Sequence, residues 1–179
     1  MAKIKPRLII VLTLIMIVSA LVLTYVYQVT TPIIKAQAQE KKEKAILDVL
    51  PGAIKYKKVT KEGLTLYKGI DKSGNTVGYA VQNSGQGFQS IIKLMIGMDL
   101  KENKIIKINI LSQAETPGLG SRITEKQFKA QFQGKSFSDA FKAKKDVDAI
   151  TGATISSQAL SDVLDEAIAK VQQVYGGGE

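Results

Sequence analysis

A long run of uncharged residues near the N-terminus constrains the fold of this chain more than any other feature. Residues 8 to 27 include no Asp, Glu, Lys or Arg. A run of about 20 residues spans about 30 Å as an α-helix, which matches the hydrocarbon thickness of a bilayer. The sequence therefore predicts a transmembrane helix over residues 8–29, with the remaining chain folded on one side of the membrane.

The length and flanks of this run favour an uncleaved anchor over a secretory signal. The apolar core of a signal is only about 7 to 15 residues long and ends in a cleavage site of small residues. Here Ser19 and Ala20 lie deep inside the apolar run. Tyr25 and Tyr27 stand at its far end, where aromatic rings favour the membrane interface. A cleaved signal is the alternative interpretation.

The distribution of basic residues predicts the orientation. Lys3, Lys5 and Arg7 lie beside the N-terminal end of the run, whereas the lysines on the other side begin at Lys35. Basic residues close to a span favour the cytoplasmic side, and long domains cross a membrane largely regardless of charge. Residues 1–7 are therefore expected in the cytoplasm. The bulk of the chain is expected outside it, as a single-pass protein of the cell (inner) membrane.

Residues 30–52 are expected to form a stalk between the membrane and a folded domain. The sequence Thr-Thr-Pro at residues 30–32 predicts a break in the membrane helix, because proline removes a backbone donor. Residues 34–50 are rich in Ala, Gln, Glu and Lys and predict a helix that ends before the following Pro-Gly. The lysines of residues 35–61 are expected to face anionic lipid headgroups.

The folded part, residues 53–179, begins with a pattern typical of strands. Apolar and polar residues alternate in two pairs of segments, which predict two β-hairpins. The first hairpin joins residues 64–69 to residues 77–81, and the second joins residues 90–100 to residues 105–111.

Helices are expected to follow these hairpins. Apolar residues recur at three- and four-residue steps from Ile155 to Tyr175, which is the pattern of an amphipathic helix. Residues 127–132 and 138–141 predict two shorter helices. The elements together predict an α+β fold, an antiparallel sheet with helices packed against it, in a single domain.

The composition excludes several kinds of chemistry. The chain contains no Cys, His or Trp. It therefore has no disulfides, no thiol nucleophile and neither of the commonest transition-metal ligands, and we expect no metal site. Difficult chemistry would have to come from a cofactor. The net charge of +9 arises from lysines scattered among acidic residues, so we expect no nucleic-acid partner.

The segment from Asp148 to Ser157 leads into the last predicted helix. Its sequence predicts a binding site for an anion. The first N–H groups of a helix lack intrahelical partners and carry the positive end of the helix dipole. Gly152 and Ala153 would allow close approach of the backbone. Four hydroxyl side chains surround them, those of Thr151, Thr154, Ser156 and Ser157. Ordinary helix capping without any ligand is the alternative interpretation.

Two further loops are rich in glycine. In Glu115-Thr116-Pro117-Gly118-Leu119-Gly120, proline and glycine are placed for the centre of a type II turn. In Gly85-Gln86-Gly87-Phe88, two glycines precede an aromatic residue. Each loop taken alone is also consistent with a simple connection between elements.

These three segments together resemble the FMN-binding domain family. The run Asp148-Ala-Ile-Thr-Gly-Ala-Thr154 is similar to that family's flavin-attachment motif, Asp-x-x-(Ser/Thr)-Gly-Ala-Thr. The order of the segments over essentially the whole chain is similar to the G subunits of Rnf electron-transport complexes. The C subunits of sodium-pumping NADH:quinone reductases share the motif. One departure is Ser112-Gln113-Ala114, where many relatives carry His.

The resemblance implies a function and a set of site residues. A flavin transferase would use FAD to attach FMN covalently to Thr154, with Asp148 serving recognition by that enzyme. The chain would carry electrons inside a membrane complex that oxidises ferredoxin, reduces NAD and moves sodium ions or protons, and it would not be catalytic alone. The remaining expected flavin contacts are Thr151, Gly152, Ala153, Ser156 and Ser157 near the phosphate, and Glu115, Thr116, Pro117, Gly118, Leu119, Gly85, Gln86, Gly87 and Phe88 along the ring.

Other functions are open at the level of sequence. The C subunit of a sodium-translocating NADH:quinone reductase is the nearest alternative. A membrane-anchored binding or assembly module without flavin would use the hydroxyl cluster only to cap a helix. A hydrolase using Ser156 or Ser157 is disfavoured, because no His base is available to activate a serine.

Overall fold

The computed structural model describes residues 6–175. The chain divides into two compact units, residues 1–41 and residues 42–179. Its helices are α1 (Pro6–Asp48), a 3₁₀ helix (Gly120–Thr124), α2 (Lys126–Ala130) and α3 (Thr154–Tyr175), and its strands are β1 (Lys55–Lys61), β2 (Leu64–Ile70), β3 (Thr76–Gln86), β4 (Ile91–Asp99) and β5 (Lys104–Ser112).

The first unit contains most of α1, which is long and apolar enough to cross a membrane. The break predicted at residues 30–32 is wrong, because α1 continues through Pro32. The Thr30 hydroxyl donates to the Val26 carbonyl at 2.7 Å, and the Thr31 hydroxyl donates to the Tyr27 carbonyl at 2.6 Å. Such bonds satisfy carbonyls near the missing proline donor, so the helix continues.

The C-terminal end of α1 belongs to the second unit and is not a free stalk. Ala45, Ile46, Val49 and Leu50 are buried against one face of the sheet. The compact unit therefore begins at Lys42 rather than at residue 53, where the sequence placed the start of the domain. The cause is the apolar spacing of these residues, which gives the last turn of the helix one face to bury.

The sheet is antiparallel with strand order β1-β2-β3-β4-β5. Both predicted hairpins are confirmed, as β2-β3 and β4-β5. Strand β1 was not predicted, because four of its seven residues, Lys55–Lys61, are lysines and the segment shows no apolar alternation. It lies at the edge of the sheet, where lysines discourage pairing with other chains. Glu62 and Gly63 have φ of 49° and 80°, as the two-residue turn between β1 and β2 requires.

Helix α3 packs on the other face of the sheet and closes the main core. Its side of the core comes from Leu160, Val163, Leu164, Ala167, Ile168 and Val171, and the sheet contributes Leu66, Val81, Ile92, Leu94 and Ile96. The predicted α+β fold and the amphipathic C-terminal helix are thus confirmed. Because α3 runs along the sheet, its first turn is fixed near the end of β3.

The segment between α2 and α3 is mostly irregular. Helix α2 is shorter than the predicted helix over residues 127–132. The helix predicted over residues 138–141 is wrong, because this stretch forms a turn. The Asp139 carboxylate accepts the Ser136 N–H at 3.0 Å, and the buried Phe141 has a φ of 40°. A side chain that bonds its own backbone competes with helix formation.

Candidate cofactor-binding site

A cavity of about 320 Å³ opens at the N-terminal end of α3. This volume lies at the lower end of the range for small-molecule sites in proteins. Three segments distant in sequence form its wall, the loop after β3, the loop after β5 and the start of α3. The lining residues are Phe88, Thr116, Leu119, Gly120, Gly152, Ala153, Thr154, Ile155 and Ser156.

The loop after β5 contributes a type II turn, as its sequence predicted. The Leu119 N–H donates to the Thr116 carbonyl at 3.1 Å, and Gly118 has a φ of 75°. The Ser121 hydroxyl accepts the Gly118 N–H at 3.0 Å and fixes the turn. Thr116 and Leu119 face the cavity, whereas Pro117 and Gly118 form the exposed outer part of the turn.

The predicted attachment segment makes a tight turn into α3. Gly152 has a φ of 80°, and α3 begins at Thr154, whose side chain is partly buried at the cavity wall. The N–H groups of Thr154, Ile155 and Ser156 belong to the first helical turn, where N–H groups have no acceptor within the helix. A phosphate at this position would meet those donors and the positive end of the helix dipole.

Ser157 has a structural role that differs from the expected one. Its hydroxyl accepts the Ile150 N–H at 3.1 Å and donates to the Ala153 carbonyl at 3.0 Å. Its own N–H donates to the Ala153 carbonyl at 3.0 Å, which is the first bond of α3. The Ser157 N–H, which was expected near a phosphate, thus donates within the helix.

Glu115 was expected to line the cavity, but its side chain lies behind the cavity wall. Its carboxylate accepts the Ser156 hydroxyl at 2.5 Å and three backbone N–H groups of residues 88–90 at 3.1 to 3.2 Å. Burial acts to raise the pKa of Glu115, but the hydrogen bonds from Ser156 and from these amides outweigh it and hold the pKa below its usual value. The buried carboxylate is therefore ionised at neutral pH.

The two glycines before Phe88 do different things. Gly85 lies in β3, where a Cβ would come within 2.5 Å of the Val163 side chain, so it serves the packing of α3 and not the cavity. A Cβ at Gly87 would come within 2.5 Å of a Glu115 carboxylate oxygen. Gly87 therefore allows the loop to approach Glu115 and places the exposed Phe88 ring at the cavity.

Asp148 and Thr151 face a neighbouring cleft instead of the cavity that Thr154 lines. Gln131 holds Asp148 through the backbone: its side-chain oxygen accepts the Asp148 N–H at 2.7 Å, and its side-chain nitrogen donates to the Asp148 carbonyl at 3.3 Å. Arg122 also lines this cleft and is paired with Glu125 at 3.0 Å. The predicted motif is thus divided between two surfaces: Asp148 and Thr151 line the cleft, and Thr154 lines the cavity.

Two lining residues were not predicted, Gly120 and Ile155. A Cβ at Gly120 would come within 2.6 Å of the Ser156 hydroxyl, so this position requires glycine. The sequence carried a signal for it, since a second glycine closely follows the predicted turn. Ile155 is 61% exposed at the start of an amphipathic helix, and its position off the buried face is the corresponding signal.

Comparisons with known proteins agree with this site. A family model for the FMN-binding domain matches residues 87–169, which include all of the lining residues named above. The G subunit of an ion-translocating oxidoreductase complex from Methanosarcina acetivorans is 34% identical, with 95% of this chain and 96% of the relative covered. The G subunit of a proton-translocating ferredoxin:NAD(+) oxidoreductase complex from Clostridium ljungdahlii is 32% identical, with 93% and 91% covered.

The fold has a counterpart among solved structures. The crystal structure of NqrC from Shewanella oneidensis aligns with a TM-score of 0.52 at 22% identity and covers 68% of each chain. This likeness concerns the fold alone. The relatives that match nearly end to end are G subunits, and the FMN-binding domain model covers the cavity. The chain therefore belongs to the family of G subunits of ion-translocating oxidoreductase complexes, and it carries that family's FMN-binding domain.

Proposed function

We propose that this chain is a membrane-anchored electron carrier that holds FMN covalently, through a phosphoester to Thr154. The position of Thr154 carries the proposal: its side chain lies in the first turn of a 22-residue helix, at the wall of a cavity with an apolar rim. FMN, when bound, supplies redox chemistry that a chain without Cys, His or Trp lacks.

The cavity suits the two chemically different parts of FMN. The first-turn N–H groups of α3 offer donors to a phosphate, and Gly152 lets the backbone approach it. The rim carries three large apolar side chains, Phe88, Leu119 and Ile155, which are 58%, 44% and 61% exposed. Clustered exposed apolar side chains mark binding surfaces, and a flat aromatic ring system would cover these three.

Each part of the attachment segment then has its own task. Thr154 provides the oxygen of the ester and no redox chemistry. The resulting phosphodiester keeps one negative charge, which the α3 dipole stabilises. Asp148 and Thr151, in the neighbouring cleft, would be recognised by a flavin transferase that transfers the FMN part of FAD to the Thr154 hydroxyl and releases AMP.

The family membership supports the same role at the scale of a complex. The relatives are named as subunits of ion-translocating oxidoreductase complexes, one of them a ferredoxin:NAD(+) oxidoreductase. We therefore place this chain among the subunits of such a complex, where electron transfer between ferredoxin and NAD drives movement of sodium ions or protons. Helix α1 would cross the membrane once, in contact with lipid, with the second unit outside the cytoplasm.

The covalent link is tested by the mass of the intact chain. The full-length protein, produced in cells that contain a flavin transferase, should carry one FMN adduct. Thr154→Ala should carry none, because the acceptor oxygen is gone, whereas Thr154→Ser should retain a measurable fraction. The variants should fold, since the loss of a hydroxyl near a helix terminus costs only about 1 kcal/mol.

Thr60→Ala is the matched control, because Thr60 is an exposed threonine of the edge strand β1. Its adduct should equal that of the unchanged protein. An adduct that persists on Thr154→Ala would refute attachment at this residue. A well-folded wild-type protein that remains without flavin beside an active transferase would refute the carrier role and favour an assembly module.

A further inference from the structure

Glu115 is the one charged side chain that is fully buried among residues 6–175, at 3% exposure. Burial of a carboxylate is costly unless hydrogen bonds replace its hydration. Its side-chain oxygens accept from the backbone N–H groups of residues 88–90 and from the hydroxyls of Ser90 and Ser156. These donors come from two segments, so Glu115 joins its own loop to the loop after β3 and to the first turn of α3.

No cation neutralises this charge within the described part of the chain. Ion pairs of residues 6–175 such as those of Glu102, Asp48, Glu125 and Glu166 do not include Glu115. The donors that Glu115 uses are neutral amides and hydroxyls. A fixed negative charge thus stands inside the domain, stabilised by dipoles alone.

The charge lies directly behind the cavity wall. Ser156 and Gly120 both line the cavity, and both adjoin Glu115. The Ser156 hydroxyl bonds its carboxylate at 2.5 Å, and a Cβ at Gly120 would lie 2.9 Å from the Glu115 Cβ. One layer of small residues therefore separates this charge from whatever fills the cavity.

We propose that Glu115 is a positioning residue whose carboxylate holds the Phe88 loop against α3 before the flavin arrives, and whose charge lowers the reduction potential of the bound flavin. The second half of this proposal rests on the proposed function. A reduced flavin has gained electrons, so a nearby negative charge makes reduction less favourable. The first half concerns the protein alone, since all the bonds involved are present without flavin.

The first test uses the full chain in detergent, made without a transferase, and compares it with Glu115→Gln by amide hydrogen exchange. The glutamine side chain has one acceptor oxygen and an NH₂ group that repels the amides which now donate to a carboxylate. Exchange at Phe88, Gln89 and Ser90 should become about tenfold faster, as the loss of hydrogen bonds to a charged group predicts. The Gly118 amide, which donates to Ser121, should not change and is the internal control.

The second test measures the midpoint potential of the flavin-loaded chain by reductive titration. Glu115→Gln should shift the potential to a more positive value, and Glu115→Asp, which keeps the charge, should restore most of the original value. Glu102→Gln is the matched control, because Glu102 is an exposed carboxylate in the turn between β4 and β5. It makes the same chemical change in solvent and should leave the potential unchanged.

The two halves fail separately. Unchanged exchange in residues 88–90 of Glu115→Gln would overturn the positioning role, whether or not the protein binds flavin. A potential that shifts no more in Glu115→Gln than in Glu102→Gln, or that shifts as much in Glu115→Asp, would overturn the electrostatic role. A wild-type chain that takes up no flavin would refute the proposed function and leave the exchange test intact.

Ser156→Ala covers the case in which Glu115→Gln does not fold. It removes one donor to the carboxylate and keeps the charge. The potential should therefore stay or become more negative, while the thermal midpoint of unfolding falls. A positive shift in Ser156→Ala would show that the packing of the wall, and not the charge of Glu115, sets the potential.

Discussion

Adjacent serines at the start of α3 illustrate how little separates a ligand-facing residue from a structural one. Ser156 faces the cavity and bonds Glu115, whereas Ser157 is fully buried and caps the turn through Ile150 and Ala153. On a helix, neighbouring residues point about 100° apart, so their environments differ although their chemistry is the same. The site is therefore defined by the angular position of each residue around the helix.

Asp165, a partly buried acidic residue of α3, gives a prediction about pH. Burial and the neighbouring Asp162 raise the pKa of Asp165 from 3.8 to about 6. The folded state thus favours the protonated form of Asp165. The stability that this form contributes is fully present below pH 3.8, and it is lost as the pH rises through about 6. At pH values above this range the ionised Asp165 destabilises the fold.

Asp165→Asn should therefore raise the free energy of unfolding at about pH 7.5 by about 1 kcal/mol. The full shift corresponds to about 3 kcal/mol, but the side chain is partly exposed and solvent screens the effect. Urea unfolding followed by circular dichroism at about pH 7.5 and about pH 3.5 measures the difference. The gain should vanish at the lower pH, and an equal gain at both values would assign the effect to something other than ionisation.

At the scale of elements, the end of α1 is part of the domain because a glycine in the sheet leaves space for it. At Gly97 of β4, a Cβ would collide with the backbone carbonyl of Val49. The Asp48 carboxylate also accepts from Lys107 at 2.6 Å and from Asn109 at 2.8 Å on β5. A close backbone approach and these polar contacts together attach the end of the helix to strands β4 and β5.

Gly97→Ala should lower the free energy of unfolding by about 3 kcal/mol, because a backbone carbonyl cannot rotate away as a side chain can. Gly74→Ala is the control. Gly74 has a φ of 87° but nothing lies within 4 Å of its Cβ position, so only backbone strain of about 1 kcal/mol is expected. Thermal unfolding of both variants in detergent, followed by circular dichroism, gives the comparison. Equal losses would mean that α1 does not dock closely on β4.

The elements that the sequence predicted are those whose patterns are local. Residues 64–69 and 77–81 flank a turn rich in Asp, Ser, Gly and Asn, and residues 155–175 keep a helical period, so both the hairpin and the helix were predicted. Strand β1 was missed because its stability comes from pairing with β2 and not from apolar alternation. Residues 138–141 were misassigned because Asp139 bonds the local backbone, a competition that periodicity does not reveal.

In the candidate site, too, features with a local sequence pattern could be predicted and features that depend on distant contacts could not. The type II turn at Pro117 and Gly118 and the start of α3 could be predicted from residue types alone. Which side chains face the cavity could not, because that depends on how three loops meet. Glu115 appeared in a suitable loop, but its place behind the wall follows from donors more than 20 residues away in sequence.

At the scale of the whole molecule, orientation decides which partners the domain can meet. An extracytoplasmic domain would be flavinylated in that compartment and would exchange electrons there, whereas an inverted one would meet cytoplasmic partners. The first arrangement is favoured by Lys3, Lys5 and Arg7 beside the apolar run. Because the chain has no cysteine, a single introduced thiol reports its location without a native competitor.

Lys101→Cys places a thiol in the exposed turn between β4 and β5, and Ala2→Cys places one before the apolar run. In intact cells, after permeabilisation of an outer membrane where one exists, a membrane-impermeant maleimide should label Lys101→Cys. Ala2→Cys should be labelled only after the inner membrane is lysed. Basic residues next to a span are retained on the cytoplasmic side, while a folded domain of this length crosses regardless of its charge. The opposite labelling pattern would show that the topology is inverted, with flavin attachment and electron exchange in the cytoplasm. Labelling of both variants in intact cells would mean that α1 does not hold the chain across the membrane.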